Sequence, residues 1–251
     1  KYNTVSFKTR TNDLINIFIE GSIEFPGTYT LKNNSSLNDL YSMIGSFDDS
    51  AFLDGIILKR ESVKDRQIKS IEDAKKSFNE FIAMQTKDFG AIDPYALELI
   101  NSEIDEEDLG RIAGNFRPDN NPFIDNLLLN DGDILIVPKK SNSISVLGEV
   151  LNPSSFINDS KITIKQAIDL SGGLKDSAFE NGIYVIAANG LVKKANRNIF
   201  GNSKYLEAGD TVIVPRRIKI DNPISQTIAP ITQILSDLAF SAAAIDNLSN
   251  N

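Results

Sequence analysis

The side chains that most often perform acid–base and nucleophilic chemistry are missing from this sequence. Its 251 residues contain no histidine and no cysteine, which removes the usual general base, the commonest transition-metal ligand and the thiol nucleophile. Two carboxylates at a fixed separation would still suffice for glycoside hydrolysis. Asp49 and Asp176 recur at equivalent positions, but each precedes a serine just after a helix-ending glycine, a setting typical of turns. We therefore expect no catalytic site, no metal site and no cofactor.

Other binding motifs are equally sparse. The four consecutive acids at residues 105–108 do not point to a common centre on a helix and lack the spaced oxygen ligands of a calcium loop. No glycine-rich nucleotide loop occurs. Tyr29, Phe52, Phe156 and Phe179 could form an aromatic platform for sugar, although we expect them to belong to the core.

Charge and hydropathy exclude further classes of partner. The formal net charge is −8 and the isoelectric point is near 4.7, whereas phosphate backbones require clustered lysine and arginine, so nucleic acid is not the expected partner. The basic pairs Lys139-Lys140, Lys193-Lys194 and Arg216-Arg217 are expected to cap strand ends. No run reaches the roughly 18 apolar residues of a conventional membrane span. Because the chain opens on Lys1, we expect a fragment or a mature form.

The chain contains one pattern twice. Displaced by 127 residues, Gly21 aligns with Gly148, and the match continues without a gap to Gly55 and Gly182. A second match near residues 131–138 and 208–215 closes each copy, now with an offset of 77 residues. The first copy therefore carries 50 additional residues, and we place the domains at residues 1–140 and 141–222.

Each copy predicts a small α+β fold. Two β-rich runs joined by a proline-containing bend indicate a hairpin. A helix follows, capped by Ser35 or Ser36 in the first copy and by Thr163 in the second, and it ends at glycine. Two more strands complete each unit. Hairpin, helix and two strands is a β-grasp order, in which the helix covers one face of a small sheet.

The additional residues of the first copy predict a helical hairpin at about residues 64–115. Residues 64–87 place apolar side chains at three- and four-residue steps, and Asp93-Pro94 is typical of the start of a second helix. The expected packing face of this insert consists of Phe78, Phe81 and Ile82.

Residues 223–251 predict a C-terminal amphipathic helix. If 25 of these residues were helical they would extend about 37 Å, enough to cross a hydrocarbon core of about 30 Å. In a ring of such helices the apolar face would meet lipid; alternatively, the same face packs back on the β-grasp domains. The residues of this membrane- or oligomer-forming face are Ile228, Ile231, Leu235, Leu238, Ala242 and Ile245.

The repeated motifs resemble a known family. The succession G-E-V-x-x-P, S-G-G-L, D-S-A-F-x-x-G and G-D-x-[VI]-x-V-P is similar to the soluble-ligand-binding β-grasp (SLBB) domains of bacterial polysaccharide export proteins. A tandem of such domains followed by an amphipathic helix resembles the Wza-like and KpsD-like capsule exporters, and the long insert is more similar to the KpsD-like branch.

This resemblance implies a non-enzymatic, periplasmic, outer-membrane-associated component that forms a homo-oligomeric ring for export of capsular or extracellular polysaccharide. It also implies an inner-membrane partner, either a polysaccharide co-polymerase or a transporter. Two alternatives remain open: a monomeric periplasmic carbohydrate-binding accessory protein, and a carboxylate-dependent glycan-modifying enzyme.

Overall fold

The computed structural model describes residues 13–84, 106, 109–119, 121–158, 161–195 and 205–217. Side chains are described throughout these ranges except at residue 78 and residues 81–84. The described residues form two units that repeat the same arrangement of strands around a short helix.

The described residues of the first unit form five strands and three helices. The strands are β1 (Leu14–Gly21), β2 (Gly27–Lys32), β3 (Ile57–Lys59), β4 (Arg111–Ile112) and β5 (Ile134–Val137). The helices are α1 (Leu37–Tyr41), α2 (Glu61–Met84) and α3 (Pro122–Asn126), with a 3₁₀ turn at Leu53–Gly55.

The second unit contains five strands and one α-helix among its described residues. The strands are β6 (Ser143–Gly148), β7 (Ser154–Ile157), β8 (Tyr184–Ile186), β9 (Val192–Lys194) and β10 (Thr211–Val214). Helix α4 spans Ile164–Leu170, and a 3₁₀ turn at Glu180–Gly182 matches that of the first unit.

The two sheets have the same topology, with strand orders β2-β1-β5-β3-β4 and β7-β6-β10-β8-β9. The central pairs β1–β5 and β6–β10 are parallel, and all other pairs are antiparallel. The predicted mixture of helix and strand is therefore confirmed, with two sheets as expected. The sequence predicted four strands in each unit, whereas the structure adds the short edge strands β4 and β9.

Side-chain caps explain where the short helices begin. The Ser36 hydroxyl accepts from the backbone N–H of Asp39 at 3.2 Å, and the Asp39 carboxylate accepts from the backbone N–H of Ser36 at 2.7 Å. Thr163 and Gln166 form the same reciprocal pair at 3.3 Å and 2.9 Å. Such capping boxes satisfy backbone donors that a helix leaves unpaired, so both helices start at the same point of the repeat.

Each unit has its own core, built on the face of the sheet that the short helix covers. Ile15, Ile17 and Ile19 alternate with exposed residues along β1, as expected for a strand with one buried face. They pack with Leu37 and Leu40 of α1. In the second unit Ile144 and Val146 of β6 pack in a separate cluster with Ala167 and Ile168 of α4.

Two glycines at the ends of β1 and β6 let the chain turn tightly over the neighbouring strand. Gly21 and Gly148 have φ of +95° and +93°, and a Cβ there would lie 2.0 Å and 2.1 Å from the carbonyl oxygens of Val137 and Val214. No side chain fits at either position. The repeated glycine is thus a steric requirement of this fold.

Helix α2 follows β3 directly and begins at Glu61, three residues before the predicted start of the insert. Ile71 is buried, and Gln67 accepts a 2.7 Å hydrogen bond from the backbone N–H of Gly110. The predicted second helix of the hairpin falls mostly on residues outside the described ranges. Arg111–Ile112, which the sequence assigned to the insert, is β4 and belongs to the sheet.

Within the described ranges, no helix combines the length and apolar character required to cross a membrane. The predicted C-terminal helix at residues 223–251 lies outside those ranges.

Candidate functional site

Two features of the structure bring together residues that are distant in sequence: a contact between the units and an open cavity in the second unit. In the contact, Arg111 of β4 donates from Nη2 to the carbonyl oxygen of Ala188 at 2.6 Å. Ala188 lies in the turn between β8 and β9, which the Gly190 N–H closes onto the Ala187 carbonyl at 2.7 Å. A side chain of the first unit therefore reaches the backbone of the second.

The Arg111 guanidinium is deeply buried at this contact. Burial lowers its pKa to about 10, because the charged form loses its hydration. Its Nε has no hydrogen-bond partner among the described residues, and a Cβ at Gly190 would lie 2.6 Å from Nε. Glycine at position 190 leaves room for the guanidinium beside the turn.

Phe52 makes a second contact between the units. A Cβ at Gly209 would lie 3.0 Å from Cε1 of Phe52 and 2.8 Å from Cβ of Ala188. Glycine 209 therefore leaves room for an aromatic ring of the first unit. Phe52, which the sequence offered as a core residue or a sugar platform, is half-buried beside this contact.

The open cavity in the second unit has a volume of about 410 Å³ and lies along the first turns of α4 and the segment before it. Tyr205 lies beside this segment, since it bridges to Thr163 and the Leu206 N–H donates to the Ile162 carbonyl at 2.8 Å. The lining residues are Lys161, Ile162, Gln166, Asp169 and Leu170.

The lining combines both charges, an amide and apolar surface. Nζ of Lys161 lies 5.4 Å from the centroid of the Tyr205 ring, within the range of a cation–π contact. Gln166 uses its Oε1 to cap α4, and its side-chain Nε2 is not part of that cap. Leu170 is 57% exposed and Tyr205 is 45% exposed. The cavity therefore offers one exposed apolar side chain and three polar groups to solvent, and the Tyr205 ring lies next to Lys161 of its lining.

The first unit does not reproduce this chemistry. Under the offsets of the repeat, Lys161 corresponds to Asn34, Gln166 to Asp39, Asp169 to Ser42, and Tyr205 to Leu128. Ser36 forms an isolated bridge with Leu128, and its counterpart Thr163 forms one with Tyr205, which confirms that Leu128 and Tyr205 occupy equivalent positions. A shared scaffold thus carries an amide and a leucine in one unit and a cation and an aromatic ring in the other.

The acids that recur in both copies of the repeat, Asp49 and Asp176, are exposed residues of equivalent loops, one in each unit. Ser177 next to Asp176 donates to the carboxylate of Glu149, which ties the loop to the end of β6. Among the described residues, no group of three or more acidic side chains is placed to hold a metal ion.

The remaining aromatic candidates pack on the cores. Tyr29 packs against the core of the first unit and Phe156 against that of the second, while Phe179 is half-buried and lies against Gly182. Of the predicted insert face, the backbone of Phe78, Phe81 and Ile82 lies in α2, but their side chains are outside the described set. The predicted tail face, namely Ile228, Ile231, Leu235, Leu238, Ala242 and Ile245, lies wholly outside the described residues.

Comparison with known proteins identifies the second unit. The family model of the SLBB domain matches residues 143–194, which run from the start of β6 to the end of β9. Residues 143–194 are an SLBB domain. The first unit has the same strand order and the same repeated glycines, which is consistent with a tandem of SLBB domains.

Curated relatives extend this result. Two Escherichia coli proteins, each named polysialic acid transport protein KpsD, are 31% identical to this chain over 129 residues. The match covers 51% of this chain and 22% of each relative, so the chain corresponds to only part of their length. The predicted resemblance to SLBB-domain proteins of polysaccharide export is therefore confirmed.

Proposed function

We propose that this chain is part of a non-enzymatic component of bacterial polysaccharide export, associated with the cell envelope. The observation that carries the proposal is the repeated unit, whose second copy is an SLBB domain in a chain similar to KpsD. The relatives are named for the transport of polysialic acid, and by analogy the cargo of this protein is a capsular or extracellular polysaccharide.

The non-enzymatic assignment rests on the chemistry of the side chains. The sequence lacks histidine and cysteine, and the acids that recur in both units, Asp49 and Asp176, lie exposed in loops of different units. A glycosidase needs two carboxyl groups within about 10 Å on either side of one bond. Nothing in the repeat supports such a pair.

The proposed location is the periplasm, at the outer membrane, with the protein assembled as a homo-oligomeric ring. The amphipathic pattern of residues 223–251 supports membrane attachment, because a ring of such helices can present apolar faces to lipid and uncharged polar faces to a lumen. The net charge of −8 suits a conduit whose surface as a whole does not adsorb an anionic glycan non-specifically. An inner-membrane co-polymerase or transporter would deliver the polysaccharide.

A second candidate is a monomeric periplasmic accessory protein that binds carbohydrate. The cavity beside Lys161 and Tyr205 favours this function. An aromatic side chain, a cation and an amide that lie close to one open cavity are suited to binding a sugar. The two candidates share their ligand and differ in assembly.

Two measurements test these proposals. Disruption of the gene in its own host should abolish polysaccharide at the cell surface, and unchanged surface polysaccharide would refute a role in export. The mass of the purified protein in mild detergent separates the two candidates. A mass many times 27.6 kDa indicates an oligomeric ring, and a mass of 27.6 kDa indicates the monomeric accessory protein.

A further inference from the structure

We propose that the cavity beside α4 of the second unit binds one carboxylate-bearing sugar residue of an acidic polysaccharide. This inference rests on the proposed function in polysaccharide export, and it assigns the contact with glycan to the second unit alone. The residues that carry it are Lys161, Gln166, Asp169 and Tyr205.

The apolar part of the cavity fits the carbon face of a sugar ring. A pyranose has one face rich in C–H groups, which stacks on aromatic rings, and hydroxyl groups around its edge. Leu170, which lines the cavity, is 57% exposed, and the Tyr205 ring, which lies next to Lys161 of the lining, is 45% exposed. Large apolar side chains exposed beside polar groups are typical of ligand-binding surfaces.

The polar groups fit the edge of an acidic sugar. Lys161 supplies a cation for the carboxylate, and charge-assisted hydrogen bonds of this kind are about twice as strong as neutral ones. The side-chain Nε2 of Gln166 is not used in the helix cap, so its two N–H donors can reach the second carboxylate oxygen or a hydroxyl. Asp169 accepts from hydroxyl groups.

The position of these groups is fixed by the fold. Gln166 is held by its capping contacts with Thr163 at 2.9 Å and 3.0 Å. The segments that carry Lys161 and Tyr205 are joined by the hydrogen bond from Leu206 N to Ile162 O. A ligand therefore meets a surface that is already arranged, which lowers the entropic cost of binding.

The first unit supplies an internal comparison. At the same places of the same scaffold it has Asn34 and Leu128, so it lacks both the cation and the ring. If the exposed residues of the second unit served only the fold, the first unit would require similar ones. The difference between the units lies in the groups that a sugar acid would contact.

The test measures binding to the whole protein by calorimetry. The probes are oligosaccharides of sialic acid, galacturonic acid and glucuronic acid, with maltotetraose as a neutral sugar of similar size. At least one acidic probe should bind, with maltotetraose at least about tenfold weaker, and Tyr205→Ala and Lys161→Gln should each weaken the acidic probe by about tenfold. Leu128→Ala, the matched change in the first unit, should leave binding unchanged.

The proposal is overturned if no acidic probe binds, if maltotetraose binds equally well, or if Tyr205→Ala and Lys161→Gln bind like the parent protein. Failure of the site is distinct from failure of the proposed function. Loss of surface polysaccharide on gene disruption, with no binding at the cavity, would leave the export role standing. If the acidic probe binds through Tyr205 but gene disruption leaves surface polysaccharide unchanged, the sugar site is supported and the export role is refuted.

Discussion

Nη2 of Arg111 lies 2.6 Å from the carbonyl oxygen of Ala188, so a hydrogen bond joins β4 of the first unit to the β8–β9 turn of the second. None of the ion pairs formed by the described residues includes Arg111. The protein thus buries a cation at the contact between its units and pairs it with a backbone carbonyl.

Replacing Arg111 by methionine should loosen the contact between the units. The lost hydrogen bond, worth about 1.5–3 kcal/mol for a charged donor, is offset in part by no longer burying a cation, so we expect a net loss below about 2 kcal/mol. Because the chain has no cysteine, spin labels on Asn38→Cys and Lys165→Cys report the distance between units. That distribution should broaden in Arg111→Met.

The control for this experiment is Arg117→Met. Arg117 is also an arginine of the first unit, but it pairs with Asp54 and Asp119 of its own unit, so its loss should leave the label distances unchanged. An identical distribution in Arg111→Met and the parent protein would show that other contacts hold the units together.

Gly148→Ala should be far more damaging than Gly173→Ala. Both glycines have φ of +93°, so each alanine pays about 1–2 kcal/mol for the left-handed backbone. At Gly148 the added Cβ would also lie 2.1 Å from the Val214 carbonyl oxygen, whereas Gly173 has no atom within 4 Å of that position. Denaturant unfolding should show a loss of about 3 kcal/mol or more for Gly148→Ala. Equal losses of unfolding free energy in the two variants would mean that the left-handed backbone conformation, and not the steric contact, determines the cost.

Asp133→Ala should cost about 3–5 kcal/mol, because it leaves a partly buried guanidinium without its partner. The Asp133 side chain is 1% exposed and accepts from Nε and Nη2 of Arg60 at 2.8 Å and 2.7 Å. Asp131→Ala serves as the control, because it removes an exposed carboxylate that accepts a 2.8 Å hydrogen bond from the backbone N–H of Asn16. This change should cost less, about 1–2 kcal/mol. Similar losses in chemical denaturation would contradict a dominant role for the arginine.

Phe78→Asp should weaken association between subunits more than it lowers the stability of the monomer. Burial of one phenylalanine side chain contributes about 1.5–3 kcal/mol. The amphipathic pattern of α2 predicts that the packing face of the insert, which contains Phe78, contacts a neighbouring subunit. Asn79→Asp introduces the same side chain at the next, exposed position and serves as control. Sedimentation gives the assembly state and thermal unfolding gives the stability. If Phe78→Asp lowers the melting temperature but leaves the assembly intact, the packing face of the insert belongs to the core of the monomer.

Leu235→Asp should release the full-length protein from the outer membrane into the soluble periplasmic fraction. A carboxylate at the centre of an apolar helix face costs about 2.5–3.5 kcal/mol in a bilayer, and truncation after Pro223 should have the same effect. Ser236→Asp places the charge on the predicted polar side of the helix and should leave membrane association unchanged. The attachment proposal fails if both the Leu235 variant and the truncated protein remain with the membrane.

The repeat made most of the fold predictable. Gly21 and Gly148 preserve their spacing to Gly55 and Gly182 because steric contacts at each glycine leave no room for a side chain. The edge strands escaped prediction for a physical reason: a strand such as Arg111–Ile112 has two residues, too few to show the alternation that marks a strand.

The contact between the units and the cavity were not predictable in the same way. Arg111 and Ala188 are 77 residues apart, and no local periodicity relates them. Lys161 and Tyr205 lie on separate segments that the isolated bridge between Thr163 and Tyr205 brings together. The sequence signal for the cavity was a difference between the two copies, because Asn34 and Leu128 occupy the positions of Lys161 and Tyr205. This difference could be interpreted only after the structure showed that the two positions lie close together.

The parallel pairing of β1 with β5 and of β6 with β10 determines how each unit responds to mechanical force. The chain enters a unit on one central strand and leaves it on the adjacent strand, running in the same direction. Tension on the polypeptide therefore slides the two strands past each other, which loads the hydrogen bonds between them together rather than one after another. A series of such units would carry tension along its strands without opening like a hairpin.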